Sequence, residues 1–238
     1  MDIPLILISS IIILLILAII LKFNKTNIQE LKRIGNSKEL NEITNALPEN
    51  EEICKDILKM INNENVKIQT TGGGAQASLY IVATNSIFIA NIKNTFTRVQ
   101  TIAHECIHSI QDKTLLWFNF IFSNIYMLYF IAITALTLFK VIKTPTIFAI
   151  ILVMMSILQY FVRSYLETDA MTRAKYLAKE YMEQKEDVIS KENLKQVIDN
   201  YDKLNSIGIK YYNLNLLTSN FSKIIMYCII ALIMQNFI

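Results

Sequence analysis

The 238-residue chain is 53% hydrophobic with a net charge of +3, a composition too apolar for an ordinary soluble domain. The charge is too small and too dispersed for a nucleic-acid partner, and three scattered cysteines, Cys54, Cys106 and Cys228, do not make a disulfide framework. What remains is a mainly α integral membrane protein.

Residues 3–22 form a nearly unbroken aliphatic run, interrupted only by Pro4, Ser9 and Ser10 and closed by Lys22. The run has the length of a transmembrane helix. Without a basic n-region or an A-x-A cleavage signal it is expected to be a retained anchor rather than a leader.

Residues 23–114 follow as a soluble segment. Stretches 27–35, 37–46 and 49–62 pattern as short amphipathic helices punctuated by Gly35 and Pro48. Stretches 66–70, 78–84 and 87–93 pattern as strands, with Asn85-Ser86 as a turn between the last two. Such a sheet could offer an edge to an extended peptide. Gly72-Gly73-Gly74 lacks the Lys-Ser/Thr of a phosphate loop and reads as a mobile loop.

Residues 95–113 read as one helix, with Asn94 or Thr95 as N-cap and Phe96, Val99, Ile102, Ala103 and Cys106 at helical spacing. Inside it, His104-Glu105-Cys106-Ile107-His108 spells H-E-x-x-H and uses the only two histidines of the chain. Imidazoles four residues apart lean from one helix face at a separation suited to a single Zn²⁺. Glu105 beside them is placed to take a proton from a zinc-activated water, the arrangement of metal-assisted peptide hydrolysis. Cys106 projects to the opposite side and reads as packing. With Arg98, Gln100, Gln111, Asp112 and Lys113 the helix is too polar to span a bilayer, so its chemistry belongs at the membrane surface.

Residues 115–140 and 145–163 give a second and a third span, and residues 216–238 a fourth that includes Ser222 and Lys223. Residues 164–215 between them form a helical soluble segment, patterned most strongly over 164–184 and 191–204. Lys25, Lys32, Arg33, Lys38, Arg163, Arg173 and Lys175 outweigh Lys140 and Lys143 in the turn between spans two and three, which puts both hydrophilic segments in the cytosol.

A catalytic zinc takes three protein ligands and leaves one position for water. With no third histidine, the third ligand is Asp, Glu or Cys, and the H-E-x-x-H-x-x-G-x-x-H pattern is excluded. The hairpin of spans two and three returns the chain at Arg163 to the membrane face where the motif helix ends. Glu167 is the first acid after that return. Asp169 stands four residues before Arg173, the spacing of an intrahelical ion pair. Gln111 and Asp112, three and four residues past His108, face the right way to support the histidines. Tyr165, Arg173 and Tyr176 are alternatives for an oxyanion partner, among which the sequence makes no choice.

Residues 102–111 and 167–174 resemble the H-E-x-x-H-x-x-Q and E-x-D-A-x-x-R-A segments of the neutral zinc metallopeptidases of bacterial membranes, the YugP type, and the resemblance covers most of the chain. Ile107 stands where that family commonly has glycine. The resemblance implies about four transmembrane helices and a small α+β zincin-like catalytic portion at the membrane surface. It further implies a gluzincin-like site in which His104, His108 and Glu167 hold one Zn²⁺ and Glu105 is the general base. Its substrates would be peptides or membrane proteins, and its location the cell membrane, multi-pass, with catalytic segments in the cytosol. The alternative is an inactive membrane scaffold stabilised by zinc, against which the retention of Glu105 argues, since a scaffold does not need it.

Overall fold

The computed structural model describes residues 2–20, 25–70 and 77–236. Gly72, Gly73 and Gly74, read above as a mobile loop, and Lys22 at the end of the first apolar run lie outside the described residues. The elements run α1 (Ile3–Ile20), α2 (Lys25–Gly35), α3 (Lys38–Asn45), α4 (Asn50–Met60), β1 (Lys67–Thr70), β2 (Leu79–Ile81), β3 (Ser86–Ile89), α5 (Arg98–Ile110), α6 (Lys113–Leu138), α7 (Pro145–Glu183) and α8 (Lys191–Asn236). They divide into two compact units. One comprises Met1–Phe23, Phe118–Tyr165 and Lys210–Ile238, the other Asn24–Trp117 and Leu166–Ile209.

The first unit is built from apolar helix. Among the described residues, α6, α7 and α8 are each long and apolar enough to cross a membrane, whereas the apolar stretch of α1, Ile3–Ile19, is shorter than the ~20 residues a span takes. Ile6, Tyr126, Phe130, Leu152, Ile224 and Tyr227 are buried together at its centre. Polar side chains inside apolar helix satisfy themselves locally: the Ser9 and Ser10 hydroxyls both donate to the Ile6 carbonyl, at 3.0 and 2.7 Å. The hairpin between α6 and α7 turns at Lys140, whose φ of 60° reverses the chain while the Val141 N–H reaches back to the Leu136 carbonyl at 2.9 Å.

Two expected boundaries vanish. The stretches expected at 145–163 and 164–184, separated above by polarity, merge into one helix of 39 residues that ends at Glu183, and those at 191–204 and 216–238 merge, as far as Asn236, into one helix of 46, with 237 and 238 outside the described residues. A change from apolar to charged side chains does not interrupt backbone hydrogen bonding; proline does, by lacking an N–H, and glycine only weakens a helix. After Pro145 neither helix contains a proline, and α8 contains only Gly208. A Cβ there would meet the end of the Met171 side chain, Cε, at 3.1 Å.

The second unit packs α4 and α5 on a three-stranded sheet of order β1-β3-β2, β1 pairing parallel with β3 and β2 antiparallel. Ile87 and Ile89 of the central strand are buried, as its β-branched composition demands. Asn85 takes φ 47° in the turn before β3, a conformation asparagine tolerates. The motif helix is shorter than the 95–113 pattern. Thr95 and Phe96 precede it, and the Phe96 N–H donates to Asn41 Oδ1 at 2.8 Å. Thr97, not Asn94 or Thr95, is the N-cap, and it makes no side-chain cap bond. Asp112 caps the next helix instead, its Oδ1 accepting the Leu115 N–H at 2.8 Å.

Arg98, which opens α5, is fully buried. Its guanidinium donates to the carbonyls of Thr44, Leu47 and Pro48, closing the C-terminal end of α3 onto the motif helix. Arg98→Ala leaves those carbonyls unpaired in the interior. We expect it to cost on the order of 2–4 kcal/mol, read as a lower thermal midpoint of the detergent-solubilised protein; an unchanged midpoint would show that the buried guanidinium does not hold the unit together.

Candidate metal centre

α5 and α7 supply the centre, both within the second unit. His104 and His108 lie one turn apart on α5, with Nε2 atoms 3.0 Å from each other and ring planes at 89°. Glu167 on α7 brings Oε2 to 3.4 Å from His104 Nε2 and 3.8 Å from His108 Nε2. Two donors bonded at 2.0–2.1 Å to one tetrahedral Zn²⁺ stand about 3.3–3.4 Å apart, and the three observed separations bracket that value. These three residues could hold one metal ion. The residues fit zinc in kind as well as in spacing, two imidazoles and one carboxylate.

The electrostatics agree with a cation-binding cluster. Burial would raise the Glu167 carboxyl, but hydrogen bonding and charge from His104 and His108 outweigh it and hold the group well below the carboxylate range. Burial depresses the His108 imidazolium, and the Glu167 carboxylate more than restores it, for a net upward shift. Three lone pairs directed at one point are stable only around shared protons or a metal.

Glu105 sits between the two histidines in sequence but turns to a different neighbour. It is buried, and its Oε2 accepts the Tyr80 backbone N–H at 2.6 Å. Tyr80 is the middle residue of β2, an edge strand of the sheet. Burial raises the Glu105 carboxyl above its ordinary value, offset in part by His104, His108 and the Tyr80 amide. A carboxyl moved toward neutrality is suited to exchanging a proton.

Gln111 fixes the orientation of the site. Its Nε2 donates to the Leu166 carbonyl and to Asp169 Oδ2, both at 2.8 Å. The amide oxygen therefore faces His108 Nδ1 at 2.7 Å and can only accept. His108 accordingly carries its proton on Nδ1, and the Nε2 lone pair is left for a metal. Leu166 and Asp169 flank Glu167, so the same amide positions both halves of the cluster. Asn205 reinforces this from α8, accepting from Gln100 Nε2 at 2.5 Å and donating to the Met171 carbonyl at 2.8 Å.

Other expected residues fall as follows. Asp169 and Arg173 make the predicted ion pair, at 3.4 Å, and Asp169 also anchors Gln111, a role its spacing from Arg173 did not reveal. Asp112 caps α6 and does not support a histidine. Cys106 packs away from the cluster with its Sγ 3.8 Å from Cys54 Sγ, and burial pushes its thiol far above the ordinary value. Tyr165 and Tyr176 are both exposed, Tyr176 with the Lys175 ammonium over its ring. The Tyr80 amide on Glu105 was not foreseen. It is a backbone group, and only the strand pattern over 78–84 pointed toward it.

Compared with known proteins, the chain matches no family model, no curated protein and no solved structure. The residues themselves therefore carry the reading. Gln111→Ala should weaken Zn²⁺ binding by about 10–100-fold, the usual effect of removing the group that orients a ligand histidine, in a competition titration against a zinc-sensitive dye. Affinity equal to that of the unaltered protein would contradict the orienting role.

Proposed function

We propose that this chain is a membrane-bound zinc endopeptidase, in which His104, His108 and Glu167 hold one Zn²⁺ and Glu105 is the general base. The observation that carries the proposal is the convergence of the two Nε2 atoms and Glu167 Oε2 at 3.0–3.8 Å, although Glu167 lies more than fifty positions after His108 in the sequence. Zinc, when bound, supplies Lewis-acid polarisation of a carbonyl and lowers the pKa of a water to about 7.

The residues of the chain do the rest. His108, proton-bearing on Nδ1, and His104 present neutral nitrogens, and Glu167 contributes one negative charge, leaving a net positive centre that attracts a carbonyl oxygen. Glu105 takes the proton of the attacking water and returns it to the leaving amine. The Tyr80 amide keeps the Glu105 carboxylate aimed while burial lifts its proton affinity. Because Tyr80 belongs to an edge strand, the base lies at a place where an extended peptide could pair with main chain regardless of sequence.

The membrane part of the proposal rests on α6, α7 and α8, with α1 as a shorter fourth crossing or anchor. The positive-inside distribution of lysine and arginine assigns the catalytic segments to the cytosol. Lys113, the first residue of α6, follows the motif helix by three positions, so the substrates on this reading are peptides or membrane proteins presented at the cytosolic membrane surface.

Glu105→Gln separates catalysis from metal binding. The variant should retain one zinc per chain and lose cleavage of a casein or membrane-protein substrate by about 10³-fold or more; cleavage at the unaltered rate would refute the role of Glu105. Glu167→Ala should release the metal, and full zinc occupancy in that variant would refute the ligand assignment.

A further inference from the structure

The apolar unit holds polar side chains that the peptidase reading does not use, and one of them is only half satisfied. Asn220 of α8 is 2% exposed. Its Nδ2 donates to the Ser156 carbonyl at 3.1 Å and to Gln159 Oε1 at 2.8 Å, both on α7. A backbone carbonyl can only accept, so the orientation of the Asn220 amide is settled and Oδ1 is the end left over. That oxygen accepts no hydrogen bond from the described residues. Ser156 is by contrast fully engaged, its hydroxyl donating to the Leu152 carbonyl at 2.7 Å and accepting from the Tyr126 hydroxyl at 2.9 Å.

Asn220, Ser156 and Tyr160 line a cavity of about 290 Å³ bordered by α1, α7 and α8, all within this unit. The Tyr160 hydroxyl, on a half-buried side chain, makes no hydrogen bond with the described residues either. The rest of the wall is hydrocarbon, including Leu17 of α1, Val153 of α7, and Leu217, Phe221 and Ile224 of α8, and no charged side chain lines it. This lining selects among occupants. A water cluster filling the space would need two to four polar partners for each molecule, and the wall offers only Asn220 Oδ1 and the Tyr160 hydroxyl. A bare hydrocarbon would match the wall but leave the Asn220 acceptor unpaired inside an apolar helix bundle, which is costly. An ionised headgroup would meet no counter-charge. A hydrocarbon chain that carries one uncharged donor satisfies the wall and the amide together.

We propose that this cavity binds a single-chain lipid bearing an uncharged hydroxyl, the chain lying against Leu17, Phe221 and Ile224 and the hydroxyl donating to Asn220 Oδ1. The inference is independent of the zinc site. It makes Asn220 a specificity-determining residue, because the apolar wall accepts any chain and the amide oxygen alone separates an alcohol from an ether or an alkane.

The test uses the full-length protein in dimyristoyl-phosphatidylcholine nanodiscs, labelled with a decanol that bears a photoreactive diazirine in mid-chain and mapped by mass spectrometry. Unlabelled 1-decanol, 1-methoxydecane and decane serve as competitors. Labelling should concentrate on the peptide carrying Leu217 and Phe221, and 1-decanol should compete about tenfold better than 1-methoxydecane, which accepts a hydrogen bond but cannot donate one. Asn220→Leu, close in shape, should bring the two competitors to within about twofold of each other. Val153→Phe, which adds bulk to the wall, should reduce labelling there to the level found at Leu128 and Ile131, exposed residues of α6 that do not line the cavity. Equal competition by the alcohol and the ether in the unaltered protein would overturn the proposal without any variant, and so would labelling no stronger at the cavity than at Leu128 and Ile131. An alcohol preference that survives Asn220→Leu would overturn the role of the amide. Zinc content of the same samples reports separately on the peptidase reading.

Discussion

The Gln111 side chain is the constraint on which the centre depends. An amide has one accepting and one donating end, and here the donating end is committed to the Leu166 carbonyl and Asp169 while the accepting end meets His108. This single group sets the tautomer and ring orientation of His108 and holds the Leu166 carbonyl and the Asp169 carboxylate on either side of Glu167. Because His108 lies on α5 and Gln111 is the C-cap of that helix, while the amide's two donor bonds go to α7, any sliding of one helix along the other breaks both of those bonds together. The remaining supports come from α8: Asn205 links Gln100 of α5 to the Met171 carbonyl of α7, and the Tyr201 hydroxyl donates to the Phe96 carbonyl just before α5, at 2.7 Å.

The cluster of His104, His108 and Glu167 and the carboxyl of Glu105 are separated by direction as well as by chemistry. His104 and His108 face α7, where a carboxylate is kept ionised. Glu105, the next residue along, faces the sheet edge, where burial moves a carboxyl the other way. Two carboxyl groups with opposite displacements beside one pair of imidazoles are what a division of labour between ligand and proton carrier requires. The helix makes the separation automatic, since consecutive side chains diverge by about 100°.

Much of this was legible in the sequence because helical periodicity is local. The H-E-x-x-H spacing needs only one turn of helix to be meaningful, and the short helices and strands before it follow from capping residues, β-branched runs and asparagine turns. Glu167 was reachable by topology, as the first acid after a two-helix hairpin. What the sequence hid was of two kinds. Continuity of α7 and of α8 was obscured because polarity changes along them while backbone geometry does not. The partners of Asp169, Gln111 and Glu105 were obscured because each meets something distant in sequence: Asp169 and Gln111 lie 58 positions apart, and Glu105 meets a backbone amide that any residue at position 80 other than proline would supply. Arg98 is the sharpest case. Read as a charge that keeps its helix out of the bilayer, it is in fact buried, consumed by three carbonyls at the end of α3.

The central claim, that two histidines and Glu167 bind one zinc, is tested most directly by X-ray absorption at the zinc edge of the purified protein. The account predicts one zinc per chain, with two imidazole nitrogens at about 2.0–2.1 Å, carboxylate oxygen at about 2.0–2.2 Å and no sulfur neighbour. A sulfur shell near 2.3 Å, which would bring in Cys106 or another thiol, or a protein that takes up no zinc, would contradict it.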